Sequence, residues 1–197
     1  MWIYVGVLFK YRNPKTDNRQ FIGMLIIKEK VGEEEWVEKV LMEGYFKINK
    51  LEGKGRKIYS NRECFIGNFS KGRLNGIGTK IKIDGSRYKG EFINDIPDGK
   101  GRRDFVDGGF YEGEFVNDLP HGEGVLKKKQ GRYEGTFVEG ALTGEGKYYD
   151  AEGKLVYEGG FKGGLKHGKG KSIDKNERIF EGTYEDGIRR GEGILRK

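Results

Sequence analysis

A five-residue pattern, aromatic-x-Gly-x-aromatic, recurs along this chain at an almost constant interval. Its first residue, the anchor, is Met42, Phe65, Tyr88, Tyr111, Tyr133, Tyr157 or Phe180, with Met replacing the aromatic in the first case. The steps between anchors are 23, 23, 23, 22, 24 and 23 residues. A fixed period of this length restricts the chain to a stack of like units, each burying a face against its neighbours.

Five offsets recur in every unit. Two residues after the anchor comes Gly (Gly67, Gly113, Gly159 and their equivalents), and four after it an aromatic (Phe46, Phe69, Phe92, Phe115, Phe137, Phe161, Tyr184). Eight or nine after it comes Leu or Ile: Leu51, Leu74, Ile96, Leu119, Leu142, Leu165 and Ile188. Two glycines two residues apart follow, as in Gly122/Gly124 and Gly168/Gly170. Anchor, Gly and second aromatic are spaced by two, so in a strand they share one face. A Gly inside a strand costs about 0.5–1 kcal/mol relative to Ala. Three per unit are tolerable only if ring packing needs the space a Cβ would fill. The Gly between two rings is expected to leave a slot for a ring from a neighbouring strand, and the later Gly pair to do the same.

Six and seven residues after the anchor stand turn formers: Lys71-Gly72, Asn94-Asp95, Asn117-Asp118, Glu139-Gly140, Gly163-Gly164 and Asp186-Gly187. Such pairs accept the positive φ of two-residue hairpin loops. Each unit therefore reads as one β-hairpin. The predicted fold is all-β: an elongated, single-layer antiparallel meander of tandem hairpins of about 23 residues. Residues 42–197 form seven such repeats. Residues 1–41 form a degenerate N-terminal cap, keeping the pentapeptide at Tyr4–Leu8 and Phe21–Leu25 but not the Gly pair. Asn13–Asn18 reads as a loop and Val31–Glu34 as a turn into a strand from Trp36 to Leu41, with a short helix over 33–42 as the alternative.

Composition excludes other classes. Glycine is 35 of 197 residues, yet there are only 3 prolines, against a collagen-like chain. Aromatics at 13% argue against disorder. One cysteine, Cys64, leaves no intramolecular disulfide and no Cys-based metal site, and favours a reducing, intracellular compartment. No apolar run approaches the 18 or so residues that would span a membrane as a helix. The N-terminus has no positive residue ahead of its apolar stretch, against a signal peptide. Residues 1–16 lack acids and hold Lys10, Arg12 and Lys15, which keeps a mitochondrial address open.

The unit Tyr111-Glu112-Gly113-Glu114-Phe115-Val116-Asn117-Asp118-Leu119-Pro120-His121-Gly122-Glu123-Gly124 resembles the MORN (membrane occupation and recognition nexus) repeat, and six further units match it. The resemblance implies a solenoid-like sheet with a groove lined by the repeat aromatics, here Tyr88, Phe92, Tyr111, Phe115, Tyr133, Phe137, Tyr157 and Phe161. It implies a protein-binding scaffold in a cytoskeletal, ciliary or axonemal assembly. Lipid binding is claimed for some members, and enzymes of the family carry a separate catalytic domain. The expectation is a non-catalytic, cofactor-free interaction protein whose partners are other proteins. Anionic phospholipid is the alternative, drawing on a net charge of +7 from 38 basic and 31 acidic residues.

The search for chemistry returns little. His121 and His167 share one repeat offset, ten after the anchor, where other units place Glu52, Asn75, Asp98, Thr143 and Arg190; a turn-exit position explains them better than a metal pair. Gly163–Gly170 approximates a phosphate-binding loop but lacks the Ser or Thr that holds magnesium. Glu112 and Glu114 are expected to pair across strands with Lys127, Lys128 and Lys129. Arg189, Arg190, Arg196 and Lys197 charge the C-terminal strand, either to protect a sheet edge or to dock a second MORN chain or an acidic partner. Nucleic acid is not an expected partner, because the aromatics are committed to the repeat.

Overall fold

Sixteen strands follow one another in chain order, each hydrogen-bonded antiparallel to the next, in a computed structural model that describes residues 2–9, 21–31 and 35–196. The first three are β1 (Trp2–Phe9), β2 (Phe21–Val31) and β3 (Glu35–Lys47), and β3 closes the first repeat with β4 (Lys50–Tyr59). Six hairpins follow: β5 (Cys64–Ser70) with β6 (Arg73–Ile81), β7 (Arg87–Ile93) with β8 (Ile96–Asp104), and β9 (Phe110–Val116) with β10 (Leu119–Lys128). Then come β11 (Gly131–Val138) with β12 (Ala141–Asp150), β13 (Leu155–Lys162) with β14 (Leu165–Ile173), and β15 (Ile179–Glu185) with β16 (Ile188–Arg196). No helix occurs among the described residues. The helix weighed over 33–42 is replaced by β3, whose Trp36, Val37, Val40 and Leu41 favour a pleated surface and pair with β2. The loop expected at Asn13–Asn18 and residues 32–34 of the expected turn lie outside the described residues.

Turn chemistry matches the expectation closely. Both residues of every hairpin loop have positive φ, from Lys71 (51°) and Gly72 (82°) to Asp186 (49°) and Gly187 (86°). This is the type I′ turn, whose twist suits the flanking strands. A seventh such turn falls at Ile48-Asn49, where no Gly signals it.

The glycines divide the labour differently from the expectation. In each hairpin whose pairing is described from β3 on, the return strand carries a bulge between the tip and the Gly row: Gly44 faces Gly55 while Phe46 faces Leu51, and Gly135 faces Gly146 while Phe137 faces Leu142. The first Gly of each return-strand pair sits at this bulge with positive φ, as at Gly144 (79°) and Gly168 (71°). It supplies backbone freedom, not a slot. The second Gly of the pair faces the outgoing-strand Gly directly, as in Gly67↔Gly78, Gly113↔Gly124 and Gly159↔Gly170. Only this facing pair is a slot for a side chain.

What fills the slot depends on the residue nine after the anchor. Where that residue is Leu, it lies on the glycines: a Cβ on Gly78 would meet Leu74 Cδ2 at 2.9 Å, and one on Gly135 would meet Leu142 Cδ1 at 3.1 Å. Where it is not Leu, the unit's own anchor ring lies there instead. A Cβ on Gly124 would come within 2.6 Å of Tyr111 Cζ, one on Gly170 within 2.6 Å of Tyr157 Cζ, and one on Gly182 within 2.6 Å of Phe180 Cζ. At these positions the covering group comes from the hairpin itself, while at Gly146 the neighbouring strand supplies it as expected, the Phe161 ring of the next hairpin, whose Cδ2 a Cβ would meet at 3.1 Å.

The chain forms two compact units, Met1–Pro97 and Asp98–Lys197. In the first, Met42, Phe46, Leu51, Phe65, Phe69, Leu74, Tyr88 and Phe92 are buried. In the second, Tyr111, Phe115, Phe137, Leu142, Tyr157, Phe161 and Tyr184 are buried. Ring contacts run through the second unit edge to face. Tyr111 meets Phe115 at 5.1 Å and Phe137 at 4.9 Å, and Tyr157 meets Phe161 and Tyr184, each at 5.1 Å. Such pairs add about 0.5–1.5 kcal/mol each beyond area burial. Each hairpin also locks its loop to the preceding return strand: Gly140 N–H donates to Pro120 O, Gly164 N–H to Leu142 O and Gly187 N–H to Lys166 O, each at 2.9 Å.

The two Gly roles predict different losses. Gly124→Ala drives a Cβ into a packed ring and should cost about 1–3 kcal/mol. Gly144→Ala meets open space and should cost about 1–2 kcal/mol, from the left-handed backbone alone. Tyr111→Leu should recover part of the Gly124→Ala loss and none of the Gly144→Ala loss, measured by denaturant unfolding of the single and double variants.

Candidate interaction site

The eight groove aromatics do not present their rings to solvent. Tyr88, Phe92, Tyr111, Phe115, Phe137, Tyr157 and Phe161 are each no more than 4% exposed, and Tyr133 is half-buried. The hydroxyls of Tyr88, Tyr111 and Tyr157 donate to the carbonyls three residues on, Glu91 O at 3.0 Å, Glu114 O at 3.2 Å and Gly160 O at 2.9 Å. Tyr133 differs because Leu142 and Phe161 already cover its glycine pair. Its ring stacks instead on Tyr148, 4.6 Å away at a 31° tilt. As direct contacts for a partner, the seven buried rings offer almost no surface.

Fifteen residues after the first six anchors stand Lys57, Lys80, Arg103, Leu126, Tyr148 and Ser172. Lys57 Nζ donates to Gly72 O, and burial holds its pKa below the ordinary lysine value. Lys80 Nζ stands 5.0 Å over the Phe65 ring and 3.2 Å from Glu63. Arg103 lies over Phe115 at 5.0 Å and bonds both Asp118 O and its carboxylate. These basic stems seal the aromatic layer.

The opposite face is a ladder of alternating charge flanking the glycine rows. Directly facing residues pair: Glu43 with Arg56, Arg102 with Glu112 at 3.0 Å, Lys147 with Glu158 at 3.1 Å and Lys171 with Glu181 at 3.7 Å. The pairing expected between Glu112/Glu114 and Lys127–Lys129 is not made. Register places Val125 opposite Glu112 on β10, and the carboxylate turns to Arg102 on β8, while Lys128 faces Gly131. The return-strand bulge supplies the shift that a simple hairpin count omits.

On this same face, the hairpin tips expose apolar side chains. Ile93 (54%) and Ile96 (44%) do so in the first unit. In the second, Val116 (43%) faces Leu119 (47%), Val138 (43%) faces Ala141, and Leu165 (51%) and Ile188 (61%) continue the series. Sequence spacing groups Ile96, Leu119, Leu165 and Ile188 with the core leucines. The structure separates them: offset nine is buried at Pro97, half-buried at Pro120 and Lys166 and exposed only at Arg189, and offset eight points the other way. Strict counting from the anchor, combined with the period of two, carries the distinction.

His121 and His167 occupy the turn-exit offset, where side chains bond the next hairpin loop. Glu52 accepts from Lys71 N–H at 2.9 Å, Asn75 from Asn94 N–H at 3.1 Å and Asp98 from Asn117 N–H at 3.2 Å. His167 Nδ1 is buried without a hydrogen-bond partner, 3.7 Å from Asp186 Oδ1 of the next loop. Among the described residues no three His, Cys, Asp or Glu side chains gather as a metal site would require. Cys64 is half-buried, and burial pushes its thiol up. On the C-terminal strand Arg190 pairs with Glu185 at 3.2 Å, Arg189 donates to Ser172 at 2.9 Å, Arg196 ends β16, and Lys197 lies outside the described residues.

The MORN repeat family model matches residues 43–63, 65–87, 88–110, 111–131, 133–154, 157–176 and 180–197. The chain belongs to the MORN-repeat family. A comparison with curated proteins returns no match. MORN repeats are generally modules of protein or membrane interaction, and their architecture is a non-catalytic repeat fold.

Burial of the tyrosines has a pH signature. Burial pushes the Tyr111 and Tyr157 hydroxyls up from 10.0 to about 12. Between those values the unfolded chain has lost protons that the native chain keeps, so stability falls as pH rises from 10 towards 12. Ultraviolet titration should show late-ionising tyrosines, and Tyr111→Phe should remove one of them. Its loss of two carbonyl contacts, to Glu114 and to His121 at 3.1 Å, should cost about 1 kcal/mol at neutral pH.

Proposed function

We propose that the chain is a non-catalytic scaffold that holds other proteins in a larger assembly, through the face opposite the buried aromatics. The observation that carries this reading is the series of exposed apolar hairpin tips, Val116/Leu119, Val138/Ala141, Leu165 and Ile188, beside a ladder of paired charges. Recurrent exposed apolar side chains bordered by polar ones are the usual mark of a protein-binding surface. The groove aromatics fix the spacing of this surface, and the row of Lys57, Lys80, Arg103, Leu126 and Tyr148 makes what contact the aromatic side offers. A cytoskeletal or ciliary setting is part of the reading, and a single half-buried thiol supports a reducing compartment for it.

Peripheral attachment to anionic phospholipid is the second reading and draws on the net charge of +7. Four basic residues of the outer face are matched by facing carboxylates, which weakens the uniform field such attachment needs.

Val116→Ser with Leu119→Ser alters exposed positions and should change stability by no more than about 0.5 kcal/mol per site. In detergent lysate of the source cells, the wild-type chain should sediment with a large, salt-resistant particle and the double variant should be released from it. Sedimentation of the wild-type chain as a free monomer, with loss from the membrane fraction on adding detergent, would overturn the scaffold reading in favour of lipid.

A further inference from the structure

Two hairpins carry a cation where the others carry a buried or half-buried apolar residue. Nine residues after the anchor, Leu51, Leu74, Pro97 and Leu142 are buried and Pro120 is half-buried. The equivalents in the last two hairpins are Lys166 and Arg189. The fold permits the exchange because the Tyr157 and Phe180 rings, and not a leucine, cover the glycine pairs there. The position is thereby released from the core and becomes the wall of a cleft.

The cleft has a volume of about 430 Å³, and Tyr148, Val156, Lys166, Ser172, Tyr184 and Arg189 carry its character. Lys166 Nζ stands 4.7 Å over the Tyr157 ring and 5.8 Å from the Tyr184 ring. The Arg189 guanidinium lies 4.4 Å over the Phe180 ring and donates to Ser172 Oγ at 2.9 Å. Ser172 is buried and also accepts from the Tyr184 hydroxyl at 2.6 Å. With two donors on its oxygen, Ser172 keeps its own hydroxyl hydrogen to give.

The charges here are not balanced. Among the described residues neither Lys166 nor Arg189 has a carboxylate partner. The two acids in the lining are held by their own turns. Asp150 accepts from Lys154 N–H at 2.8 Å, and Asp174 accepts from Asn176 N–H at 2.8 Å, Arg178 N–H at 3.0 Å and the Arg178 guanidinium at 2.7 Å. Lys154 is paired with Glu177 at 3.0 Å. Burial, and then the charge of Arg189, hold the Lys166 ammonium below the ordinary lysine value. A half-buried cation beside a second cation is unfavourable unless an anion joins them.

The groups that converge are an ammonium, a guanidinium and a hydroxyl hydrogen, all donors. A doubly charged oxyanion answers both the charge and the donor geometry. The cleft is larger than a bare phosphate and falls in the range of small-molecule pockets, roughly 300–1,000 Å³. Its Tyr148 and Val156 walls suit an organic body. We propose that this cleft binds a phosphate monoester of a small organic molecule, with its oxyanion at Lys166, Arg189 and Ser172 and its body against Tyr148 and Val156.

Phenyl phosphate titrated into the full chain, followed by NMR and calorimetry, tests this. Saturable shifts at Ser172, Tyr184 and Lys166, with tighter binding than inorganic phosphate, are expected. Lys166→Leu, which installs the residue found at this offset in three other hairpins, and Arg189→Gln should each weaken binding by roughly tenfold or more. Lys128→Gln, on an exposed strand end, should leave binding unchanged. Vesicles of phosphatidylcholine with and without phosphatidic acid separate a membrane source of the phosphomonoester from a soluble one. Absence of saturable shifts, shifts located elsewhere, undiminished binding by the folded variants, or binding to phosphatidic acid vesicles without binding to phenyl phosphate would each overturn the proposal.

Discussion

A side chain lying flat on two facing glycines is the contact on which the rest of this structure depends. It requires a residue without Cβ on both strands at the same register, and the pairing supplies it: Gly67 with Gly78, Gly113 with Gly124, Gly159 with Gly170. Once a ring or a leucine occupies that slot, the strands on either side cannot slip, because a one-residue shift would bring a Cβ into the space of Tyr111 or Leu74. The same slot explains why so many interior glycines are tolerable. Their conformational cost is set against burial of a large side chain that no other residue would admit.

Consequences spread outward from the slot. A side chain can reach it only if the return strand is bent, and the bulge at the first Gly of each pair provides the bend. The bulge then offsets the two faces of the hairpin, and in the second unit the facing charged pairs of the outer face join each outgoing strand to the strand before it, as Glu112 joins Arg102. Locking of each loop to the carbonyl of the previous return strand, as from Gly164 to Leu142, passes the register on to the next hairpin. Local turn chemistry, bulge and slot agree with one another, which is what a sequence needs in order to specify one arrangement.

Much of this is legible in the amino-acid sequence. Period, hairpins and loop positions follow from the offsets, because each is a local demand: positive φ at Asn117-Asp118, a shared face for Tyr111, Gly113 and Phe115. What the offsets do not carry is relational. Offsets eight and nine both hold aliphatic residues, and they separate only when each is set against its partner across the turn, Leu119 facing exposed Val116 and Pro120 facing buried Phe115. The aromatics read as a groove surface, yet their rings are the layer beneath one, since Lys80 and Arg103 fold over them. Ion pairing between Glu112 and the lysines of β10 fails for the same reason, because the extra residues of a bulge cannot be counted from composition.

The choice of what covers the glycines also decides where the repeats can differ. A leucine at offset nine spends that position on the core and frees the anchor, as Tyr133 is freed to stack on Tyr148. A ring in the slot does the reverse and frees offset nine. Where proline stands there, as at Pro97, the freedom goes unused and the side chain is buried. Where Lys166 and Arg189 stand there, the freed position brings two cations to one cleft while every backbone feature of the repeat is kept. Difference in binding can therefore arise in a repeat array without insertion or loop growth. It needs only an exchange of covering group, which leaves the strand pairing intact and changes what the wall above it carries.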